Sequence, residues 1–180
     1  MKLVGIVGMP GCGKSEAADV ARSMGIPVVV MGDVIRREVK KSGLRIDQGT
    51  LREMMIDLRR KFGKGVVAER CLPLLRALSS HKVVVVDGIR SPDEVNVFRR
   101  EFPDFSIMAI HSSPKTRFRR LQERRRGDDP NTWEQFCDRD RIELGVDIGD
   151  AVALADNVVI NEGNQSKFRE NVRRIFREVA

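Results

Sequence analysis

The chain has 180 residues, enough for one domain with a sizeable buried core, and its 41% hydrophobic and 33% charged residues with a formal charge of +7 exclude a disordered chain. No apolar run approaches the roughly 20 residues of a membrane span, and the segment from Lys2 to Gly8 is too short and glycine-broken for a secretion signal. Cys12, Cys71 and Cys137 are scattered, with neither metal spacing nor a disulfide framework, so the expectation is a cytoplasmic α/β protein.

Five short apolar runs dominate the chain: Leu3 to Val7, Val28 to Met31, Val83 to Val86, Phe105 to Ile110 and Asn157 to Ile160. Rich in valine and isoleucine and without polar alternation, they predict strands buried on both faces, as in a parallel sheet. Between them helices are predicted over Gly13 to Met24, Val34 to Lys41, Gly49 to Phe62, Val66 to Ser79, Pro92 to Glu101, Pro114 to Arg126, Trp133 to Leu144 and Gln165 to Val179. Strand-helix repetition of this kind builds βαβ units with right-handed crossovers. Gly32 to Ser80 is too long for one crossover and predicts two or three helices, while Gly127 to Leu154 is an acid-rich insertion. Both would overhang a site at the carboxyl ends of the strands and are candidate flaps.

After the first strand, Gly8-Met9-Pro10-Gly11-Cys12-Gly13-Lys14-Ser15 fits G-x-x-x-x-G-K-[ST] and leads into a helix pattern. The glycines let successive N–H groups turn inward as an anion nest, and the helix N-terminus adds positive charge there. Lys14 would neutralise the β- and γ-phosphates of ATP, and Ser15 would offer its hydroxyl to Mg²⁺. The third strand runs from Lys82 into Asp87, an acid placed either to hold the Mg²⁺ hydration shell or to cap a turn.

These motifs, taken in order along nearly the whole chain, resemble the nucleoside monophosphate kinase group of P-loop proteins. The chain is most similar to the archaeal adenylate-kinase-related or dephospho-coenzyme A kinase-like UPF0200 family. The resemblance implies a three-layer P-loop NTPase fold, with a parallel five-stranded sheet, helices on both faces and a short helical lid. Residues 1–180 would form one domain, with an acceptor-binding insert at about 32–80 and a lid at about 117–145. Met31-Gly32-Asp33-Val34-Ile35-Arg36 is similar to the segment opening the acceptor-binding helices, with Asp33 as helix cap and Arg36 directed at the acceptor phosphate. Asp87-Gly88-Ile89-Arg90 resembles the stretch after the third strand, which makes Arg90 a second clamp. Arg124-Arg125-Arg126-Gly127-Asp128-Asp129 resembles a lid entry, with Arg126 as its arginine; Arg139, or Arg141, would answer from the returning helix. Asn161, after the last strand, is at the loop near the donor base in dephospho-coenzyme A kinases, or is an ordinary turn residue.

The function implied is transfer of the γ-phosphoryl of ATP to a nucleotide or another phosphorylated metabolite; the alternative is an ATP-dependent binding or switch module with little turnover. Asp33 would act as a base only toward a hydroxyl acceptor. The charge pattern opposes a nucleic-acid stripe, since Pro114 to Arg126 carries seven cations and one acid, whereas Gly127 to Asp150 carries eight acids and two cations. No membrane partner is expected, and monomer or homodimer stays open. With no tyrosine and only Trp133, base stacking would fall to Phe, Arg or an apolar clamp, and Phe62, Phe98, Phe102, Phe118 and Phe136 all have core spacing. The segment Arg59-Arg60-Lys61-Phe62-Gly63-Lys64 either meets a phosphate-bearing substrate tail or ends a helix.

Overall fold

A computed structural model describes residues 1–124 and 129–179. In chain order the elements are β1 (Lys2–Val7), α1 (Lys14–Ser23), β2 (Val28–Val30), α2 (Met31–Lys41), α3 (Gln48–Phe62), α4 (Val66–Ala77) and β3 (Val83–Ile89). They continue with α5 (Pro92–Glu101), β4 (Phe105–His111), α6 (Pro114–Arg124), α7 (Trp133–Leu144), α8 (Ile148–Ala153), β5 (Asn157–Ile160) and α9 (Gln165–Val179). The strands form one parallel five-stranded sheet in the order β2-β3-β1-β4-β5.

Side chains of a strand alternate between faces, so an unbroken valine run feeds two cores at once. Leu3, Val7, Val84 and Val86 pack with α2, α3, α4, α5 and α8 on one face. Val4, Ile6, Val83 and Val85 pack with α1 and α9 on the other. The third layer is therefore written into the sheet as soon as the strands lack a polar face. Among the described residues no helix is long and apolar enough to cross a membrane.

Several boundaries differ from the sequence reading. β2 ends at Val30 and passes directly into α2, whose N-cap is Val30 without a side-chain cap bond. Asp33 thus lies inside the first turn and is not the cap, because the helix begins three residues earlier than its apolar spacing suggests. β3 continues to Ile89, with a register irregularity opposite Ile6 and Val7 that leaves Gly88 unpaired. Asp87 is consequently within the strand. The short helix α8, unanticipated in the acid-rich stretch, forms because Ile148 and Ala151 reach the core. Phe62 is 59% exposed, with the Arg70 guanidinium 5.4 Å above its ring, whereas Phe98, Phe102 and Phe136 are buried. The α6 helix is described as far as Arg124, and Arg126 lies outside the described residues.

Candidate active site

The phosphate-loop motif connects β1 to α1 at the carboxyl edge of the sheet, where β1 lies between β3 and β4. Gly13 has φ 109°, and a Cβ there would come within 2.3 Å of the Asn161 amide nitrogen, so no side chain fits. No side chain caps the first turn of α1, and Ser15 is exposed there. Lys14 curls back over the loop, donating from Nζ to the carbonyls of Gly8 (2.6 Å) and Met9 (3.3 Å). An ammonium whose hydrogen bonds go to neutral carbonyls can exchange them for anionic oxygens.

Asp87 lies close to this loop. Its Oδ1 is buried without a hydrogen-bond partner. Burial pushes its pKa up, while the charges of Lys14, Arg22 and Arg90 pull the other way. A buried carboxylate oxygen without a partner is costly unless a cation or donor arrives. The hydroxyl of Ser15 and the Asp87 carboxylate are hard oxygen ligands of the kind Mg²⁺ takes. Among the described residues no group of three or more His, Cys, Asp or Glu could cage a metal alone. Mg²⁺ fits such a sparse set because it commonly binds through one or two protein oxygens together with substrate phosphates.

Behind the loop stands a polar network that sequence spacing does not reveal. Arg117, only 4% exposed, donates to the Pro10 carbonyl (3.2 Å) and the Ser112 carbonyl (3.2 Å) and pairs with both oxygens of Asp140 (2.8 and 2.5 Å). Its guanidinium lies 4.9 Å from the centre of the Phe136 ring, and Phe136 packs with Trp133 and Phe118. Asn161 is buried, donating to the Cys12 carbonyl (2.9 Å) and accepting from Arg120 (3.2 Å). Ser112 Oγ accepts from Arg120 at 2.9 Å and donates to the Asn161 carbonyl at 2.5 Å. Nearby, Glu162 receives Thr116 Oγ1 at 2.6 Å and the Ser113 amide, and these bonds hold its carboxyl below the usual range.

On the far side, Arg90 and Arg36 each face a carboxylate. Arg90 meets both oxygens of Glu143 at 3.1 Å, and Arg36 pairs with Asp33 at 2.6 Å on an exposed helix face. Glu94, 1% exposed, accepts the Arg90 backbone N–H (2.7 Å) and the Arg59 guanidinium (2.9 Å). Its sequence disguises this, because Ser91-Pro92-Asp93-Glu94 reads as a capping box. Ser91 does cap α5, but the Glu94 carboxylate reaches across to Arg59 on α3. Arg59 Nε is buried without a partner, the second such atom besides Asp87 Oδ1 among the described residues. Cys71 is pushed up to about 12 by burial and by the nearby charge of Glu94, which makes its thiol inert at neutral pH.

Between α6 and α7, Asp129 is buried and takes Arg124 (Nε, 2.9 Å) and Arg139 (3.5 Å). The side chain of Arg139 is 27% exposed, while that of Arg141 is 76% exposed and pairs with Asp138 at 2.7 Å. Of the two candidates it is Arg139 that turns inward. Thus the structure gathers Lys14, Ser15, Asp87 and Asn161 around the loop, and it ties Arg90 to α7. Arg117, Arg120, Asp140 and Glu143 carry ion pairs or hydrogen bonds whose only signal in the sequence was a charge pattern shared with many solvated arginines, whereas Ser112 and Glu94 gave none and Arg59 lay in a segment read as a phosphate contact or a helix end.

The parallel sheet, its two helical layers and the glycine-rich loop ahead of α1 define a P-loop kinase-like domain. Residues 7–137 match the family model AAA_17, described as an AAA domain. A UPF0200 protein of Pyrococcus abyssi is 44% identical over 177 residues, covering 97% of this chain and 95% of the relative. One from Methanocaldococcus jannaschii is 46% identical over 180 residues, covering 99% and 91%. The chain belongs to the UPF0200 family. Its fold is shared with a Thermus thermophilus protein (TM-score 0.70, 21% identity, 99% and 98% of the chains covered). It is shared also with the dephospho-CoA kinase from Campylobacter jejuni (TM-score 0.64, 15% identity, 99% and 98% covered). A shikimate kinase from Bacteroides thetaiotaomicron superposes with TM-score 0.62 at 15% identity, again over 99% and 98%.

Proposed function

We propose that the protein is an ATP-dependent phosphotransferase that moves the γ-phosphoryl of ATP to a nucleotide or another phosphorylated metabolite. The observation that carries this reading is the pairing of a glycine-rich loop covered by Lys14 with the partnerless, buried Oδ1 of Asp87. In this reading 32–80 is the acceptor-binding insert and 117–145 the lid.

Loop amides and Lys14 bind the polyphosphate, with Lys14 leaving the Gly8 and Met9 carbonyls to do so. Ser15 and Asp87 hold Mg²⁺, which when bound neutralises charge on the phosphates. Arg36 and Arg90 receive the acceptor phosphate, exchanging Asp33 and Glu143 for it. An acceptor phosphate oxygen, already ionised, then forms a bond to the γ-phosphorus as the bond from that phosphorus to the β–γ bridging oxygen breaks, releasing ADP. No general base is required for such an acceptor. Lid arginines, Arg126 and Arg139, support the charge spread over the equatorial oxygens, and each such donor contributes about 3 kcal/mol to lowering the barrier. Both polar ends of the Asn161 side chain are engaged, so it serves the nucleotide by supporting the loop.

The test is acceptor-dependent ADP formation from MgATP across a panel of nucleotides and phosphorylated metabolites, with Lys14→Ala as control. Turnover that needs both an acceptor and Lys14 supports the reading. Tight MgATP binding with no stimulated turnover over the whole panel would replace it with the switch module.

A further inference from the structure

We propose that Arg117 is a positioning residue of the phosphate loop, one that turns the Gly11 N–H toward the polyphosphate by holding the Pro10 carbonyl from behind. The inference rests on the nucleotide-binding reading above and adds to it a residue that touches neither substrate.

Met9, Pro10, Gly11 and Cys12 form a β-turn closed by the Cys12 N–H on the Met9 carbonyl at 3.2 Å. Proline cannot take positive φ, and Gly11 has φ 81°, so the turn is type II. Types I and II differ by a flip of their central peptide, here Pro10–Gly11, and a glycine in the third position tolerates both. The Pro10–Gly11 pair favours the type II form, and a hydrogen bond to the Pro10 carbonyl adds to that local preference. In a planar trans peptide the C=O and the following N–H point in opposite directions. The Pro10 carbonyl is held by Arg117 at 3.2 Å, on the α6 side, so the Gly11 N–H faces away from α6. The flipped turn would present a carbonyl oxygen where an anion needs a donor.

The same device recurs two residues later. The Cys12 carbonyl is held by the Asn161 side-chain amide (2.9 Å), which turns the Gly13 N–H the other way. Between them the Cys12 N–H is consumed inside the turn. Amides 11 and 13 are thereby released together as a nest for an anion.

Arg117 can act in this way because it is itself immobilised. Asp140 on α7 takes two of its nitrogens, the Ser112 carbonyl takes Nε, and Phe136 packs against its plane. Removing the Asp140 charge leaves a buried guanidinium short of a partner and frees it to abandon Pro10.

Calorimetry with MgATP and with magnesium tripolyphosphate, on wild type, Asp140→Asn, Asp140→Glu and Arg117→Lys, tests this at a temperature where circular dichroism shows each folded. Because the Pro10–Gly11 peptide serves the phosphate tail alone, both ligands should weaken by the same factor, about tenfold, in Asp140→Asn and Arg117→Lys. Asp140→Glu should recover most of the loss. In ¹⁵N-glycine-labelled wild type, the Gly11 amide resonance should shift on adding tripolyphosphate and should be displaced already in the unliganded Arg117→Lys variant. Unchanged affinities in folded variants, or a Gly11 amide indifferent to tripolyphosphate, overturn the inference; the spectrum decides alone should Asp140→Asn not fold. A wild type that binds neither ligand overturns the nucleotide reading itself, a distinct result.

Discussion

Asp140 and Glu143 stand three residues apart on α7 and hold arginines on opposite sides of the candidate site. Asp140 takes Arg117 behind the phosphate loop at 2.8 and 2.5 Å, and Glu143 takes Arg90 beyond β3 at 3.1 Å. Three residues is close to one helical turn, so both carboxylates share a face, and Phe136 lies one turn before Asp140 on that face. One helix thus holds arginines on both sides of the candidate site.

Glu143 occupies Arg90 with two oxygens, much as an acceptor phosphate would. Glu143→Gln should therefore tighten acceptor binding several-fold, read as a lower KM for the acceptor that the panel identifies, with kcat changed less. An unchanged KM would show that Arg90 does not contact the acceptor.

Lys14→Ala should reduce acceptor-dependent ADP formation by a hundredfold or more, the cost of losing one charged donor at a phosphoryl group. The midpoint of thermal unfolding should move little, since the contacts seen for the ammonium are two carbonyls of its own loop. Coupled-enzyme assay and calorimetry check the two halves separately.

Burial raises the pKa of Asp87 in the folded protein above its unfolded value. Between those two values the folded state holds more protons, so Asp87's contribution to stability falls as pH rises through that window. Above it, the ionised carboxylate is a fixed cost. Asp87→Asn should consequently unfold at a higher temperature than wild type at neutral pH without ligand, and should lose the Mg²⁺ dependence of ATP binding.

Glu94 bridges the Arg90 backbone and the Arg59 guanidinium from a position 1% exposed. Glu94→Gln leaves the Arg59 charge, on a side chain 14% exposed, without its counter-ion. A loss of about 3 kcal/mol in folding stability is expected from breaking one partner of such a pair. Urea unfolding measures it, and a loss below ~1 kcal/mol would place the bridge among ordinary surface pairs.

The strands and the phosphate loop were legible because their signals are local. Unbroken valine runs announce burial on both faces, and the glycine spacing from Gly8 to Gly13 is a property of neighbouring residues. Most helices followed from the same short-range periodicity. The start of α2 and the short α8 were less legible, since a three-residue strand running into a helix and a six-residue helix both depend on what they pack against. Arginine partners distant in sequence were not legible, unlike the i,i+3 pairs of Arg36 with Asp33 and Arg141 with Asp138. Arg117 lies 23 residues from Asp140, Arg90 lies 53 from Glu143, and Arg120 lies 41 from Asn161.

By itself, then, the amino-acid order determined which segments become strands and helices and where an anion-binding turn can form. The three-dimensional packing decided which of the many arginines are buried and tied, that Arg139 and not Arg141 faces inward, and that Arg117 holds the Pro10 carbonyl. The physical reason is range. Torsional preference and apolar periodicity act over a few residues, whereas a guanidinium's partner is chosen by whichever carboxylate or carbonyl the folded chain brings within about 3 Å of it.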